Sequence, residues 1–135
     1  QALQEHGLEQ AINNRLEQVE WRTGINARFN CLVPDGLPLA VETELYYIII
    51  EALNNALKHA RAENIHINLY RENGEVALVV SDDGRGFDPG SGKAGIGLKT
   101  MRERAEKLGG TLEIQSDVES GSSINIKFKL EEASK

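Results

Sequence analysis

Apolar side chains recur along this 135-residue chain with two periods, one helical and one of two residues. Three stretches have helical spacing and are predicted as amphipathic helices: residues 2–21, about 41–59 and about 98–108. Five stretches alternate with a period of two and are predicted as strands: residues 25–33, 65–69, 76–80, 112–115 and 124–130. The resulting element order, α-β-α-β-β-α-β-β, lacks the repeated βαβ alternation of a Rossmann fold.

Strands with one apolar face need a cover on that face, and three amphipathic helices can supply it. The pattern therefore predicts a two-layer α/β sandwich. The second and third strands are joined across Glu72-Asn73-Gly74, in which the Asn-Gly pair is a strong hairpin signal.

Composition and charge exclude several classes of protein. With 40% hydrophobic residues the chain can form a core, which excludes a disordered tail, a disulfide scaffold and a collagen-like repeat. The longest apolar run, residues 45–50, is far too short to cross a membrane. Because no basic segment followed by an apolar one opens the chain, we expect no signal peptide. Cys31 is the single cysteine, which favours a reducing compartment. The net charge of −6 argues against nucleic acid and anionic membranes as partners.

The second predicted helix carries polar groups on one face. At about 100° per residue, Glu51, Asn55, Lys58 and His59 gather within about 100°, opposite the apolar face. Such a face is usually only solvated, but Asn is a poor choice in the middle of a helix. The oxygens of Glu51 and Asn55 lie one turn apart, and Mg²⁺ accepts such ligands when phosphates and waters complete its shell.

Glycines follow the third predicted strand in a pattern that suggests a flat, anionic ligand. Asp82-Asp83-Gly84-Arg85-Gly86-Phe87 has two glycines framing one residue, which let the backbone approach a ligand closely. Asp-Gly turns also end many strands without any ligand. A carboxylate at the strand end can accept a hydrogen bond from the amino group of adenine. Gly95-Ile96-Gly97-Leu98 opens a helix, where free N–H groups form an anion site.

Two familiar phosphate-binding motifs do not fit this region. The Walker pattern requires Gly at position 87 and Ser or Thr at position 94, where the chain has Phe87 and Ala94. The dinucleotide pattern requires a third Gly at position 100, where the chain has Thr100. Both motifs are therefore rejected.

Taken together, four segments resemble the boxes of the ATP-binding catalytic domain of sensor histidine kinases. Glu51-(x3)-Asn55-(x3)-His59-Ala60 resembles the N box, and Asp82 to Phe87 resembles the G1 box, D-x-G-x-G. Gly95 to Leu98, followed by Met101-Arg102, resembles the G2 box, and Gly121-Ser122-Ser123 stands at the terminal G-T element. The resemblance covers about residues 38–131. Upstream, Gly7-Leu8 and Arg22 to Ile25 resemble the start of this domain in kinases paired with helix-turn-helix response regulators.

The resemblance implies the GHKL (Bergerat) fold, a mixed and mostly antiparallel sheet covered on one face by three helices, with a mobile ATP lid. It implies three parts: residues 1–24, a helix leading from a missing dimerisation region and packed with the domain; residues 25–131, the ATP-binding catalytic domain; and residues 132–135, a tail. Because the chain begins at Gln1 without Met, we expect it to be a fragment of a longer protein.

By the same resemblance, Asp82 bonds the amino group of adenine, and Ser122, where the family usually has Thr, assists through water. Gly84 and Gly86 let the backbone pass beneath the base. Asn55 is implied to coordinate Mg²⁺, and Lys58 and His59 to approach phosphate oxygens. Gly95 and Gly97 are implied to form the hinge and the phosphate-facing end of a lid of residues 88–94, and Ile96 and Leu98 are implied to belong to the same ATP-binding segment.

The implied activity is transfer of the γ-phosphate of Mg-ATP to a histidine of a separate dimerisation domain, with Glu51 as the base. His6 lacks the family's acceptor context, so no phosphoacceptor is expected in this chain. The implied partners are ATP, the dimerisation domain and, indirectly, a response regulator, with no nucleic acid and no membrane contact. We expect a monomeric, cytoplasmic domain whose parent is free or membrane-anchored.

Three alternatives stay open on the sequence. An anti-sigma-factor serine kinase shares the fold and the boxes, although residues 7–25 suit a module that follows a dimerisation hairpin. A non-catalytic nucleotide sensor would not need the base Glu51. A plain α/β binding module would have no affinity for nucleotides.

Overall fold

The computed structural model describes residues 2–33, 36–60, 63–84, 95–117 and 121–130. Its α-helices are α1 (Ala2–Thr23), α2 (Leu39–Asn55) and α3 (Gly95–Lys107). Its strands are β1 (Asn26–Leu32), β2 (Asn64–Glu72), β3 (Glu75–Asp82), β4 (Thr111–Asp117) and β5 (Gly121–Lys129). A π-helical turn, Ala56–Ala60, continues α2. In the described ranges, no helix is long and apolar enough to cross a membrane.

The five described strands form one sheet in the order β1-β2-β3-β5-β4. The β1–β2 pair is parallel, and the other three pairs are antiparallel. The predicted fold class, a mixed and mostly antiparallel sheet with three helices, is therefore confirmed.

One face of the sheet and one side of each helix form the core. From the sheet, Ile65, Ile67, Leu78, Ile126 and Phe128 are fully buried. The helices contribute a matching set of buried side chains: Leu8, Ile12, Leu16 and Val19 from α1, Leu45, Ile48, Ile49 and Leu53 from α2, and Met101 and Ala105 from α3. The first helix thus shares the core of the sheet.

The turn between β2 and β3 has the geometry that its sequence predicts. Asn73 has a φ of 54° and Gly74 a φ of 79°, so both central residues are left-handed. This is the requirement of a type I′ turn, whose twist matches that of the flanking strands.

Helix α1 is interrupted at Gly7, whose φ of 82° and ψ of 174° are not helical. Immediately after the break, the N–H of Leu8 donates to Oε2 of Glu42 in α2 over 3.3 Å. The side chain of Leu8 is buried. The predicted helix of residues 2–21 is therefore two helical pieces, of which the second is attached to the core.

At the other end of this helix, Glu20 reaches the edge of the sheet. Strand β1 is one edge, and Oε1 of Glu20 accepts a hydrogen bond from the N–H of Ala27 over 3.1 Å. The chain turns between the two elements at Gly24, whose N–H donates to the carbonyl of Glu20.

Helices α2 and α3 are joined on their outer side by Arg104. Its guanidinium lies 3.1 Å from Oε2 of Glu44 and 4.5 Å from the ring centroid of Tyr47. The ring of Tyr47 is also held edge-on by Tyr46, with 5.5 Å between centroids. Tyr47 remains about half exposed.

The second helix differs from its prediction at its C-terminal end. The α-helical hydrogen bonding stops at Asn55, and the following five residues are π-helical. A π turn closes its hydrogen bonds one residue later than an α turn, so the 100° step of the helical wheel no longer applies. The single arc predicted for Glu51, Asn55, Lys58 and His59 is therefore valid only as far as Asn55.

Candidate functional site

A pocket opens where the C-terminal end of α2 meets the ends of β3 and β5. Its described lining consists of Ala52, Asn55, Ala56, Val80, Asp82, Ser122 and Ile124. Three of the residues predicted for nucleotide binding, Asn55, Asp82 and Ser122, thus come together. The other lining residues are small or apolar.

Asp82 is the last residue of β3, and both of its carboxylate oxygens are engaged. The hydroxyl of Ser122 donates to Oδ2 over 2.6 Å, and the N–H of Gly84 donates to Oδ1 over 3.0 Å. Asp82 and Ser122 are also direct partners in the β3–β5 ladder. A carboxylate oxygen has a second lone pair, so each can still accept a bond from a ligand donor.

Gly121 brings β5 against the backbone of Asp82. A Cβ at this position would lie 2.2 Å from the carbonyl oxygen of Asp82, and the φ of Gly121 is +94°. Both the close approach and the backbone angle require glycine here. The last strand was predicted to begin at residue 124, whereas β5 begins at Gly121 and includes Ser122 and Ser123.

The side chain of Asp83 accepts three hydrogen bonds, against two for that of Asp82, although no role was predicted for Asp83. Its Oδ1 accepts from the N–H groups of Glu63 (2.9 Å) and Asn64 (2.8 Å), and its Oδ2 accepts from Nδ2 of Asn64 (2.7 Å). These bonds, led by that of the Asn64 side chain, lower the pKa of Asp83. The available signal was the adjacent pair of aspartates, of which the family pattern uses only one.

Asn55 ends α2 on the wall of the pocket. Its Nδ2 is buried and has no hydrogen-bond partner within the described part of the chain. A buried amide without a partner is costly, so the side chain suits a bound polar group. Its carbonyl oxygen is of the type that Mg²⁺ takes alongside phosphate oxygens, so the residue present fits that ion.

The other predicted site residues differ in burial and in distance from the pocket, and some of them lie outside the described residues. Glu51, one turn before Asn55, is half-buried and is not part of the described lining, and Lys58 is exposed on the π turn. The backbone of Gly95, Ile96 and Gly97 forms the start of α3. The side chain of Leu98 is buried in the core, so only the backbone groups of this residue are available to a ligand. Gly86, residues 88–94 and the side chains of His59 and Ile96 lie outside the described residues.

The sequence matches one protein family over most of its length. Residues 40–132 match the model described as "Histidine kinase-, DNA gyrase B-, and HSP90-like ATPase". The match to an ATPase family confirms the expected binding of ATP.

Among curated proteins, the chain is similar to known histidine kinases. It is 37% identical over 109 residues to the histidine-protein kinase/phosphatase UhpB of Salmonella typhimurium, covering 79% of this chain and 22% of that protein. It is 32% identical over 131 residues to the histidine-protein kinase/phosphatase DegS of Brevibacillus brevis, covering 96% and 34%. The chain therefore spans about a fifth to a third of the length of these relatives. Their names give no support to the serine-kinase or sensor alternatives.

Among solved structures, the fold is similar to the histidine kinase domain of a blue-light activated histidine kinase from Erythrobacter litoralis. The TM-score is 0.77 at 21% identity, with 94% of this chain and 61% of that chain covered. A mycobacterial sensor histidine kinase, MprB, has a TM-score of 0.66 at 21% identity, covering 90% of this chain and 93% of that one.

Proposed function

Because the chain belongs to the family of histidine kinase-, DNA gyrase B- and HSP90-like ATPases, we propose that it is the catalytic domain of a sensor histidine kinase. It binds Mg-ATP and transfers the γ-phosphate to a histidine of a separate dimerisation domain. The observation that carries this proposal is the pocket that joins the Asp82 carboxylate, the Ser122 hydroxyl and the unpartnered amide of Asn55.

Asp82 and Ser122 form the adenine end of the proposed site. The amino group of adenine donates to the Asp82 carboxylate, which the Ser122 hydroxyl and the Gly84 N–H already hold in place. Because a carboxylate only accepts hydrogen bonds, it offers no donor to the carbonyl group of guanine. The site therefore selects ATP over GTP.

Asn55, Lys58 and His59 form the phosphate end, together with Gly95, Ile96, Gly97 and Leu98 at the start of α3. Asn55 provides an oxygen ligand for Mg²⁺, while Lys58 and His59 approach the phosphate oxygens. Mg²⁺ held by Asn55 would supply positive charge that neutralises the charge developing on the phosphates. The first N–H groups of α3 have no partners within that helix, and they suit a phosphate group.

Glu51 acts on the acceptor rather than on the nucleotide. As the ring nitrogen of the acceptor histidine forms its bond to the γ-phosphorus, the bond from phosphorus to the bridging oxygen breaks and ADP leaves with that electron pair. The attacking nitrogen is the unprotonated one of the ring, and the Glu51 carboxylate accepts the proton of the other ring nitrogen as positive charge develops on the imidazole. A base at this position contributes about 10²–10⁴-fold to such a reaction.

The larger context is part of the proposal. In this proposal residues 1–24 connect the dimerisation region to the catalytic domain of residues 25–131. A response regulator receives the phosphoryl group from the acceptor histidine. The domain itself works in the cytoplasm as a monomer, without nucleic acid or membrane contact.

The test has two stages. In the first stage, the chain is titrated with ATP in the presence of Mg²⁺ and the binding is measured by calorimetry. We expect micromolar affinity for ATP and far weaker binding of GTP. Incubation with labelled ATP and an added histidine kinase dimerisation domain is then expected to place acid-labile phosphate on that domain and none on this chain. Equal affinity for ATP and GTP would contradict the adenine site, and label on His6 or His59 would contradict the assignment of the acceptor.

A further inference from the structure

We propose that Asp83 is a positioning residue for nucleotide binding, which acts by fixing the end of β3 so that Asp82 keeps its place in the pocket. The inference rests on the proposed function, because it takes Asp82 as the adenine-binding carboxylate. Asp83 itself is exposed at the surface and does not line the pocket.

The carboxylate of Asp83 closes the sheet where the ladder between β2 and β3 ends. The last ladder pair is Ile65 with Asp82, and the N–H of Asp83 adds one more bond, to the carbonyl of Asn64 over 3.2 Å. The side chain then turns back, and its Oδ1 accepts from the N–H groups of Glu63 and Asn64. The residue that follows Asp82 is thus bound to β2 through both its backbone and its side chain.

Asn64 extends this attachment to a third strand. Its Nδ2 donates to Oδ2 of Asp83 over 2.7 Å, and its Oδ1 accepts from Nδ2 of Asn26 in β1 over 3.1 Å. The N–H of Asn26 also donates to the carbonyl of Glu63 over 2.9 Å. A continuous chain of hydrogen bonds therefore runs from β1 through β2 to the peptide unit that joins Asp82 and Asp83.

Asp82 is consequently held on two sides. On the β5 side, Gly121 lies against its carbonyl group and Ser122 donates to its carboxylate. On the β2 side, the attachment is made by Asp83 and Asn64. Removing the Asp83 side chain leaves only the backbone bonds on the β2 side. The end of β3 is then held less firmly, and a misplaced ligand group binds more weakly even when the rest of the fold is intact.

We call the hydrogen bonds of Asp83 with Glu63 and Asn64 the clamp, and the chain offers a matched control for it. Asn30 and Asn68 form the same cross-strand amide pair between β1 and β2, with 3.0 Å between Nδ2 of Asn30 and Oδ1 of Asn68. Asn68 lies four residues beyond Asn64 on β2, or about 13 Å along the strand. Its partner in β3 is Val79, which does not line the pocket.

The test compares Asp83→Ala with the control Asn68→Ala at a temperature at which urea unfolding shows both variants to be folded. Calorimetry measures the affinity for ATP and for adenosine, which probes the base end alone. Phosphotransfer to an added dimerisation domain is measured at saturating ATP. We expect Asp83→Ala to weaken the binding of both ligands about tenfold, with the saturated rate nearly unchanged, and Asn68→Ala to alter neither affinity by more than about twofold.

Asp83→Asn keeps the proposal testable if Asp83→Ala does not fold. Its Oδ1 can still accept both N–H bonds. When the amides of Asn64 and Asn26 both turn over, Oδ1 of Asn64 accepts from the new Nδ2 and Nδ2 of Asn64 donates to Oδ1 of Asn26, so most of the affinity is expected to return. Folded Asp83→Ala with the ATP affinity of the original chain would overturn the inference, as would equal losses in Asp83→Ala and Asn68→Ala. Failure of the unaltered chain to bind ATP would instead overturn the proposed function.

Discussion

Ser122 donates a hydrogen bond to Oδ2 of Asp82 over 2.6 Å, and the two residues face each other across the β3–β5 ladder. The carboxylate proposed to bind adenine is therefore oriented by the neighbouring strand before any ligand arrives. Such prior orientation lowers the entropy cost of binding, because the side chain is already in place.

Asp82→Asn is expected to remove most of the affinity for ATP without improving that for GTP. The substitution keeps the size of the side chain, but it replaces a charged acceptor by an amide and disturbs the bonds from Ser122 and Gly84. Loss of a charge-assisted hydrogen bond costs about 1.5–3 kcal/mol. Calorimetry with both nucleotides measures the change, and Glu113→Gln, an exposed charge removal on β4, is the control. Unchanged ATP affinity would show that adenine binds elsewhere.

Gly121→Ala is expected to destabilise the fold and weaken nucleotide binding together. The new Cβ would meet the Asp82 carbonyl at 2.2 Å, on a residue whose φ is +94°. Gly74→Ala separates the two effects, since Gly74 has a φ of +79° but nothing within 4 Å of the added atom. Backbone strain alone costs about 1–2 kcal/mol, so urea unfolding should show a clearly larger loss for Gly121→Ala. Equal losses would mean that the contact with Asp82 relaxes freely.

Glu51→Gln and Asn55→Asp are expected to separate chemistry from binding on one turn of α2. Glu51→Gln removes the proposed base but keeps its size, so Mg-ATP affinity should change by no more than a few fold while transfer falls about 10²–10⁴-fold. Asn55→Asp places a negative charge beside the triphosphate, so binding and transfer should fall together. Both are measured by calorimetry and by transfer to an added dimerisation domain. Loss of affinity in Glu51→Gln, with its rate per bound nucleotide kept, would reverse the assigned roles.

Acid is expected to weaken the unaltered chain more than Asp83→Asn. Hydrogen bonds from Asn64 hold the pKa of Asp83 below its ordinary value of 3.8. The folded state therefore gains stability from the ionised group above this pH, and the gain is lost as the pH falls through the lowered pKa. Urea unfolding at about pH 6 and about pH 3 measures how far the free energy of unfolding falls with pH in each of the two proteins. A larger fall in Asp83→Asn than in the unaltered chain would contradict this prediction.

The sequence predicted the elements well wherever one local signal decided the outcome. Asn73 and Gly74 are the residues that a type I′ turn demands, and both adopt its left-handed angles. The α2 pattern also predicted a face for Asn55 apart from that of Leu53 and Ile49; those two side chains are buried, and Asn55 lines the pocket. The π turn after Asn55 was missed, because a helical period continues through it without a local mark.

Relationships between distant segments were harder to predict. The parallel pairing of β1 with β2 depends on the crossover through α2, and no residue within either strand indicates that pairing. The clamp made by Asp83 joins residues 19 and 20 positions apart, so nothing near Asp83 in the sequence reveals its partners. Gly121 was recognised as part of a motif, whereas its contact with Asp82 became visible only once β3 and β5 were paired.

The bond from Ala27 to Glu20 has a consequence for how the protein behaves when it is concentrated. An edge strand exposes N–H groups to which a second chain can add, and this is a common start of aggregation. In β1 the N–H of Ala27 is already taken by the Glu20 carboxylate, over 3.1 Å. A neighbouring strand would have to displace a charged side chain at this point before it could pair. At this position the helix that precedes the sheet therefore opposes the pairing of a second chain with β1.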